Sequence, residues 1–361
     1  MISTLTEATP ERLAAFDAII DVRSPAEFAD DHVPGATNLP VLSNEERAQV
    51  GTIYVQESRF KARRIGAAII ARNVAGHLEN ALAEKSGAFA PLVYCWRGGQ
   101  RSGAMATILD QIGWRVTVLA GGYRTYRRRV TKALYEAEPA LRLVLLDGAT
   151  GVAKTDILGR LAARGAQVID LEGLAAHRGS LFGALTEPQP PQKLFESQLL
   201  AAVEGLDPAR PVVVEAESSK VGELNLPPTL WKAMTCAPRI LLSAPRDQRA
   251  AYLLEAYGDV VADPERLKGI LARLPPHHGG DQGAAWRDLA ARGEFLALAE
   301  SLIEAHYDPG YARSGRRDER EILGEVALAD LSIAGRETAA DRVLALLPKA
   351  PTCPTISPRP A

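Results

Sequence analysis

Short apolar runs, several rich in β-branched residues, alternate along the chain with stretches of helical periodicity, which is how a parallel sheet covered by helices reads. The pattern predicts an α/β fold. Two such series occur. The first predicts strands at 18–22, 92–95 and 116–119 and helices near 24–28, 59–84 and 102–112. The second predicts strands at 141–146, 167–170, 211–215 and 239–243 and ends in helices at 286–306 and 338–347. Between them, Gly121 and Gly122 lead into a basic helix that Pro139 closes. This places one domain at 1–138 and a second at 139–348. The stretch 349–361 holds Pro351, Pro354, Pro358 and Pro360 without periodicity and is predicted to be a disordered tail.

The chain has 361 residues, about twice a common single-domain size, so two cores fit the length. Its 42 Lys and Arg against 44 Asp and Glu give a net charge of −2, which excludes a generally basic protein. Any nucleic-acid surface must therefore be local. No apolar run approaches the roughly 18 residues of a membrane span, and Met1–Pro10 lacks a signal-peptide pattern, so a soluble, cytoplasmic protein is expected. Cys95, Cys236 and Cys353 lie far apart, without the close pairs that hold zinc, and at least one should be a free thiol. The pair His277-His278 reads as a surface turn.

Two loops carry candidate chemistry. Cys95 ends a strand and precedes Trp96-Arg97-Gly98-Gly99-Gln100-Arg101-Ser102, followed by a helix. Backbone N–H groups in a glycine-rich turn, a helix N-terminus and two arginines favour a thiolate and attract an anion. Cys95 is thus a nucleophile or a sulfur carrier, with Arg97 to Ser102 as its anion loop. The second loop, Gly148-Ala149-Thr150-Gly151-Val152-Ala153-Lys154-Thr155, has the strand and helix context of a P-loop. Ala153 stands where that motif has its second glycine, and an added methyl there could reshape the phosphate cradle. Thr155 could reach magnesium. Further polar groups follow other strands: Asp170, Glu172, His177, Arg178 and Ser180; Gln192 and Lys193; and Glu215, Glu217 and Ser218. These form an expected second-domain polar site. Two basic clusters are candidate RNA surfaces: Arg59, Lys61, Arg63 and Arg64 on one helix, and Arg124, Arg127, Arg128, Arg129 and Lys132 at the junction, with Tyr123 and Tyr126 for base stacking.

The Cys95 loop, together with Asp21–Phe28 and His32–Pro40, resembles a rhodanese domain over about residues 1–130. The common sulfurtransferase loop has four residues between Cys and Arg, whereas five separate Cys95 from Arg101, which suits a larger anion. A rhodanese-like domain, here with a basic helical insertion and a junction helix, precedes a degenerate P-loop domain. That second domain carries the motifs at 170–183, 189–196 and 214–218. The whole arrangement closely resembles the tRNA 2-selenouridine synthase family. The resemblance implies replacement of sulfur by selenium in 2-thiouridine at the wobble position of tRNA, with selenophosphate as donor. It also implies an S-geranyl intermediate made from geranyl diphosphate, with diphosphate held by the P-loop and magnesium as an optional ion. The implied partners are the anticodon region of tRNA and an enzyme that produces selenophosphate. Two other readings remain open at this level: a sulfurtransferase coupled to an ATP-dependent kinase or ATPase, and a non-catalytic module that binds RNA or anions.

Overall fold

The computed structural model describes residues 1–137, 140–274, 280–315 and 319–348; His277-His278, Pro139 and the 349–361 tail lie outside them. Among the described residues, no helix is long and apolar enough to cross a membrane. The chain divides into two compact units. The first comprises Met1–Ala137 with Pro190–Glu204, and the second contains the remaining described residues.

The first unit is a five-stranded parallel sheet of β1 (Ser3–Leu5), β2 (Ala18–Asp21), β3 (Ala36–Asn38), β4 (Pro91–Tyr94) and β5 (Thr117–Leu119), in the order β1-β5-β4-β2-β3. All four residues of β4 are buried, as both faces of a central parallel strand must be. One face packs Val93, Met105, Leu109 and Ile70; the other packs Leu92, Tyr94, Tyr126 and Leu200. Leu200 belongs to the helix Gln192–Glu204, which the sequence places in the second domain. Its apolar stripe of Phe195, Leu199 and Leu200 is buried, and Glu196 receives Arg127 while Glu204 receives Arg129. The chain therefore returns to the first unit once after leaving it.

The second unit has β6 (Arg142–Gly148), β7 (Gln167–Ile169), β8 (Pro211–Glu215), a two-stranded hairpin of β9 (Lys220–Val221) and β10 (Leu224–Asn225), β11 (Arg239–Ser243) and β12 (Ile322–Ala327). Its main sheet is parallel, in the order β12-β11-β6-β8-β7. The single helix expected at 286–306 is instead broken. Gly293, at φ +73°, ends the helix Gly280–Ala291, and a new helix Phe295–Leu302 follows. The helix starting at Arg59 likewise stops at Glu79, where Asn80 Nδ2 donates to the Gly76 carbonyl at 2.7 Å.

Gly122 locks the loop after β4 in place. It sits at φ +58°, and a Cβ there would lie 2.1 Å from the Cys95 carbonyl oxygen and 2.6 Å from the Gly98 nitrogen. The N–H of Tyr123 donates to that Cys95 carbonyl at 2.8 Å, tying the next helix to the loop. We expect Gly122→Ala to cost more than about 2 kcal/mol by chemical denaturation and to displace the Cys95 loop, because both backbone conformation and space forbid the methyl. An unchanged denaturation midpoint would refute this packing account.

Candidate active site

Cys95 lies at the carboxyl end of β4 and is 3% exposed. Its Sγ accepts the Gly99 N–H at 3.3 Å and the Ser102 hydroxyl at 3.2 Å. Burial pushes the thiol pKa up, but hydrogen bonds from Ser102 and from the Arg97 and Gly99 backbone outweigh it and hold it below the ordinary value. Cys95 therefore ionises more readily than an ordinary thiol, which favours its use as a nucleophile. Beneath the loop, Arg23 and Asp21 form a buried pair at 2.6 Å, and the guanidinium lies 4.1 Å from the Tyr123 ring centroid. Losing one partner of such a pair strands the other charge, so this contact fixes the loop's floor.

The loop opens on a cleft of about 1240 Å³. Arg97 is exposed at its edge. Arg101, expected to serve as an anion ligand, is held by Glu27 at 2.6 and 3.2 Å, and Arg47 reaches the same carboxylate at 3.0 Å. Glu27 thus sets the charge that an incoming anion meets. Sequence reasoning left it out of the site, although it lies in the Asp21–Phe28 motif. The cleft's other wall comes from the helices Asn44–Gln56 and Arg59–Glu79, through Val50, Tyr54, Gly66 and Ile70.

In the second unit, the register pairs Leu146 of β6 with Glu215 of β8. The phosphate loop and the acidic segment consequently emerge side by side. Both line a cavity of about 1110 Å³ that also takes in Glu172, Arg178, Ser180, Glu217 and Ser218. Lys154 Nζ donates to the Gly148 carbonyl at 2.7 Å, and the Thr155 hydroxyl donates to Glu172 at 2.8 Å. Ala153 adopts the left-handed conformation, φ +60° and ψ +34°, that the missing glycine would take. Its residue is 4% exposed within the apolar cluster of Val152, Ile157 and Leu158. The loop's curl therefore survives the substitution, at a backbone cost of about 1–2 kcal/mol.

Glu172 and Glu217 converge around Gly179, where an added Cβ would meet their Oε1 atoms at 2.5 and 2.6 Å. Burial and the neighbouring Glu217 raise Glu172 to about 7. Glu215, fully buried, is also pushed up by burial and by the surrounding carboxylates, and its Oε2 accepts the Leu171 N–H at 3.0 Å. The carboxyls of this cluster can hold a proton near neutral pH.

Several expected site residues serve other purposes. Asp170 caps the turn Leu171–Leu174 by accepting the Gly173 N–H at 2.6 Å. His177 is not among the residues lining the cavity, and burial lowers its pKa. Ser218 closes a turn to the Lys220 carbonyl at 2.8 Å. Gln192 and Lys193 belong to the first unit, where they meet Glu196 and Asp30, so they do not join the second-unit cavity. Tyr123 and Tyr126 are buried, 3% and 2% exposed, and cannot stack on a base. Tyr123 instead donates its hydroxyl to Asp31 at 2.7 Å. Arg127 and Arg129 face inward to glutamates, while Arg124, Arg128, Lys132, Arg59, Lys61, Arg63 and Arg64 are exposed cations of the two clusters, Lys61 in a surface pair with Glu57. The helical repeat sorts the junction cluster: 124, 128 and 132 share the outer face.

Comparison with known proteins decides the family. Residues 141–267 match the model of the tRNA 2-selenouridine synthase AAA domain, and residues 6–129 match the rhodanese-like domain. A tRNA 2-selenouridine synthase of Cupriavidus pinatubonensis (strain JMP 134 / LMG 1197) is 33% identical, over 81% of this chain and 87% of its own. That of Shewanella loihica (strain ATCC BAA-1088 / PV-4) is 35% identical, over 86% and 91%. The chain belongs to the tRNA 2-selenouridine synthase family. Within the family, it combines a rhodanese-like thiol loop with a phosphate loop whose second glycine is alanine, both on parallel α/β sheets.

Two measurements check the electrostatics. Alkylation of Cys95 by iodoacetamide, followed on its own peptide, should show a pH midpoint below the ordinary thiol value of about 8.5, and Ser102→Ala should move it upward. A midpoint that ignores Ser102 would contradict the hydrogen-bond account. Because Glu172 is raised in the fold, its stabilising contribution is present below pH 4.5 and is lost as pH rises through about 7. Glu172→Gln escapes that loss, so its stability relative to the native chain should rise between pH 4.5 and 8 by on the order of 2 kcal/mol. A flat difference would disprove it.

Proposed function

We propose that this chain is a tRNA 2-selenouridine synthase that works in two steps on the wobble 2-thiouridine. In the first step, the base sulfur attacks C1 of geranyl diphosphate. The S–C bond forms, the C–O bond breaks, pyrophosphate departs, and the N3 proton of the base is released. In the second, selenium from selenophosphate adds at C2 of the base. Geranyl thiol leaves, and water takes up the phosphoryl group as phosphate.

The observation that carries this reading is the pair of strand-end loops, one holding the Cys95 sulfur among hydrogen-bond donors and one curling around Lys154, within a chain of this family. Departing pyrophosphate is an anion, and stabilising it needs preorganised positive charge rather than ATP turnover. Lys154 supplies the charge, and the strand-to-helix turn supplies N–H donors. The Thr155 hydroxyl, already set against a carboxylate, fits the oxygen donor set of magnesium, which would neutralise the diphosphate if bound there. With Glu172 raised to about 7, a carboxylate of the Glu172–Glu217 pair that is not already protonated accepts the proton that the base gives up.

At the other loop, the Cys95 thiolate and Arg97 receive selenophosphate, and the wide cleft leaves room for a nucleobase beside it. The exposed cations Arg124, Arg128 and Lys132, with Arg59, Arg63 and Arg64, supply phosphate contacts to RNA. Nucleoside mass spectrometry after incubation with thiolated tRNA, geranyl diphosphate and selenophosphate tests the scheme. Cys95→Ser should abolish selenouridine while geranylated base accumulates. Lys154→Ala should slow geranyl transfer at least tenfold. Full-rate geranyl transfer by Lys154→Ala would refute the assignment of the second loop.

A further inference from the structure

Beside the phosphate-loop cavity lies a separate small chamber of about 70 Å³, and Thr150, Leu253, Tyr257 and Tyr307 line both. Apart from Thr150 and the two tyrosines, every side chain lining the chamber is hydrocarbon. The tyrosine hydroxyls are engaged elsewhere. Tyr257 and Ser180 share a hydrogen bond at 2.9 Å, Tyr307 also meets Ser180, and Ser180 lines the phosphate-side cavity. The rings thus border an apolar space while their polar ends serve the phosphate side. Phe182, Leu267, Leu298 and Leu302, all buried in one cluster, line the apolar part of the chamber.

With Thr150 and two already bonded tyrosines as its polar lining side chains, the chamber would leave most of a nucleotide base's polar edge unpaired, which costs several kcal/mol. A hydrocarbon chain loses nothing on entry and gains from leaving water. We propose that this chamber receives the tail of the diphosphate substrate and sets the length of isoprenoid that the enzyme uses. The proposal rests on the geranyl-transfer reading above and adds to it the residues that choose the substrate. An apolar cavity of about 150 Å³ takes a six-carbon benzene ring, so one of about half that size takes roughly three carbons. The branched three-carbon end of an isoprenoid is such a group. The rest of the chain then lies between Tyr257 and Tyr307, with the diphosphate on the loop at Gly148–Thr155.

The test compares dimethylallyl, geranyl and farnesyl diphosphates as co-substrates of the full chain with thiolated tRNA, alongside inhibition by inorganic pyrophosphate, which fills the cradle alone. Leu298→Trp occupies the chamber and should raise KM for geranyl diphosphate at least tenfold while changing that for dimethylallyl diphosphate less than twofold. Leu267→Ala deepens it and should raise the farnesyl-to-geranyl ratio of kcat/KM at least fivefold. Pyrophosphate inhibition should stay unchanged in both. Each ratio is read within one preparation, so partial loss of folded protein cancels, and Leu267→Ala decides if Leu298→Trp does not fold. Unaltered chain-length ratios in an enzyme that still transfers geranyl would overturn this inference alone. So would KM rising in step with the pyrophosphate inhibition constant, since the cradle itself would then be disturbed. A native chain that transfers no prenyl group would overturn the proposed function as well.

Discussion

In a parallel sheet every strand ends on the same edge, and that constraint determines where this chain can do chemistry. The loops after the strands become neighbours whatever their distance in sequence. In the second unit, the register of β6 against β8 sets Leu146 opposite Glu215, so the turn Gly148–Thr155 and an acidic segment far along the sequence open on one cavity. In the first unit, the same edge brings Glu27, which follows β2, to Arg101, which follows β4. Charge at each site is therefore assembled by strand pairing.

The two strand-end loops are built differently. Around Cys95 the charge is largely internal: a buried Arg23–Asp21 pair supports the loop, and Glu27 partly neutralises Arg101. What faces the cleft is the Cys95 sulfur with its hydrogen-bond donors and exposed Arg97. Around Lys154 several carboxyls lie together out of water, which raises Glu172 and Glu215 above the ordinary carboxylate range. The two sites therefore hold charge by different means, ion pairs and hydrogen-bond donors at one and clustered buried carboxyls at the other.

Much of this was legible in the sequence, since motifs with local causes read well. The apolar run 92–95 with Gly98 and Gly99 named the thiol loop, and the strand-to-helix context named the phosphate loop in spite of Ala153. Short strands such as Ser3–Leu5 and Ala36–Asn38 carry too few residues for a periodic signal, and the edge strand Ile322–Ala327 is largely open to solvent on its own sequence pattern. Basic residues in a row say nothing of which face each occupies, so Arg127 and Arg129 looked available until their glutamate partners from a distant helix appeared. Tyr257 and Tyr307 had no motif at all: only the folded arrangement brings their rings beside Thr150.

The helix Gln192–Glu204 gives the chain an uncommon ancestry problem. A simple gene fusion joins two finished modules end to end, but here a segment encoded inside the second module completes the first. Glu196 and Leu200 would have no role in an isolated second module, and the first would show bare apolar surface without them. Recombination that swaps either half for a homologue must therefore match this borrowed helix, which ties the two units into one inherited piece.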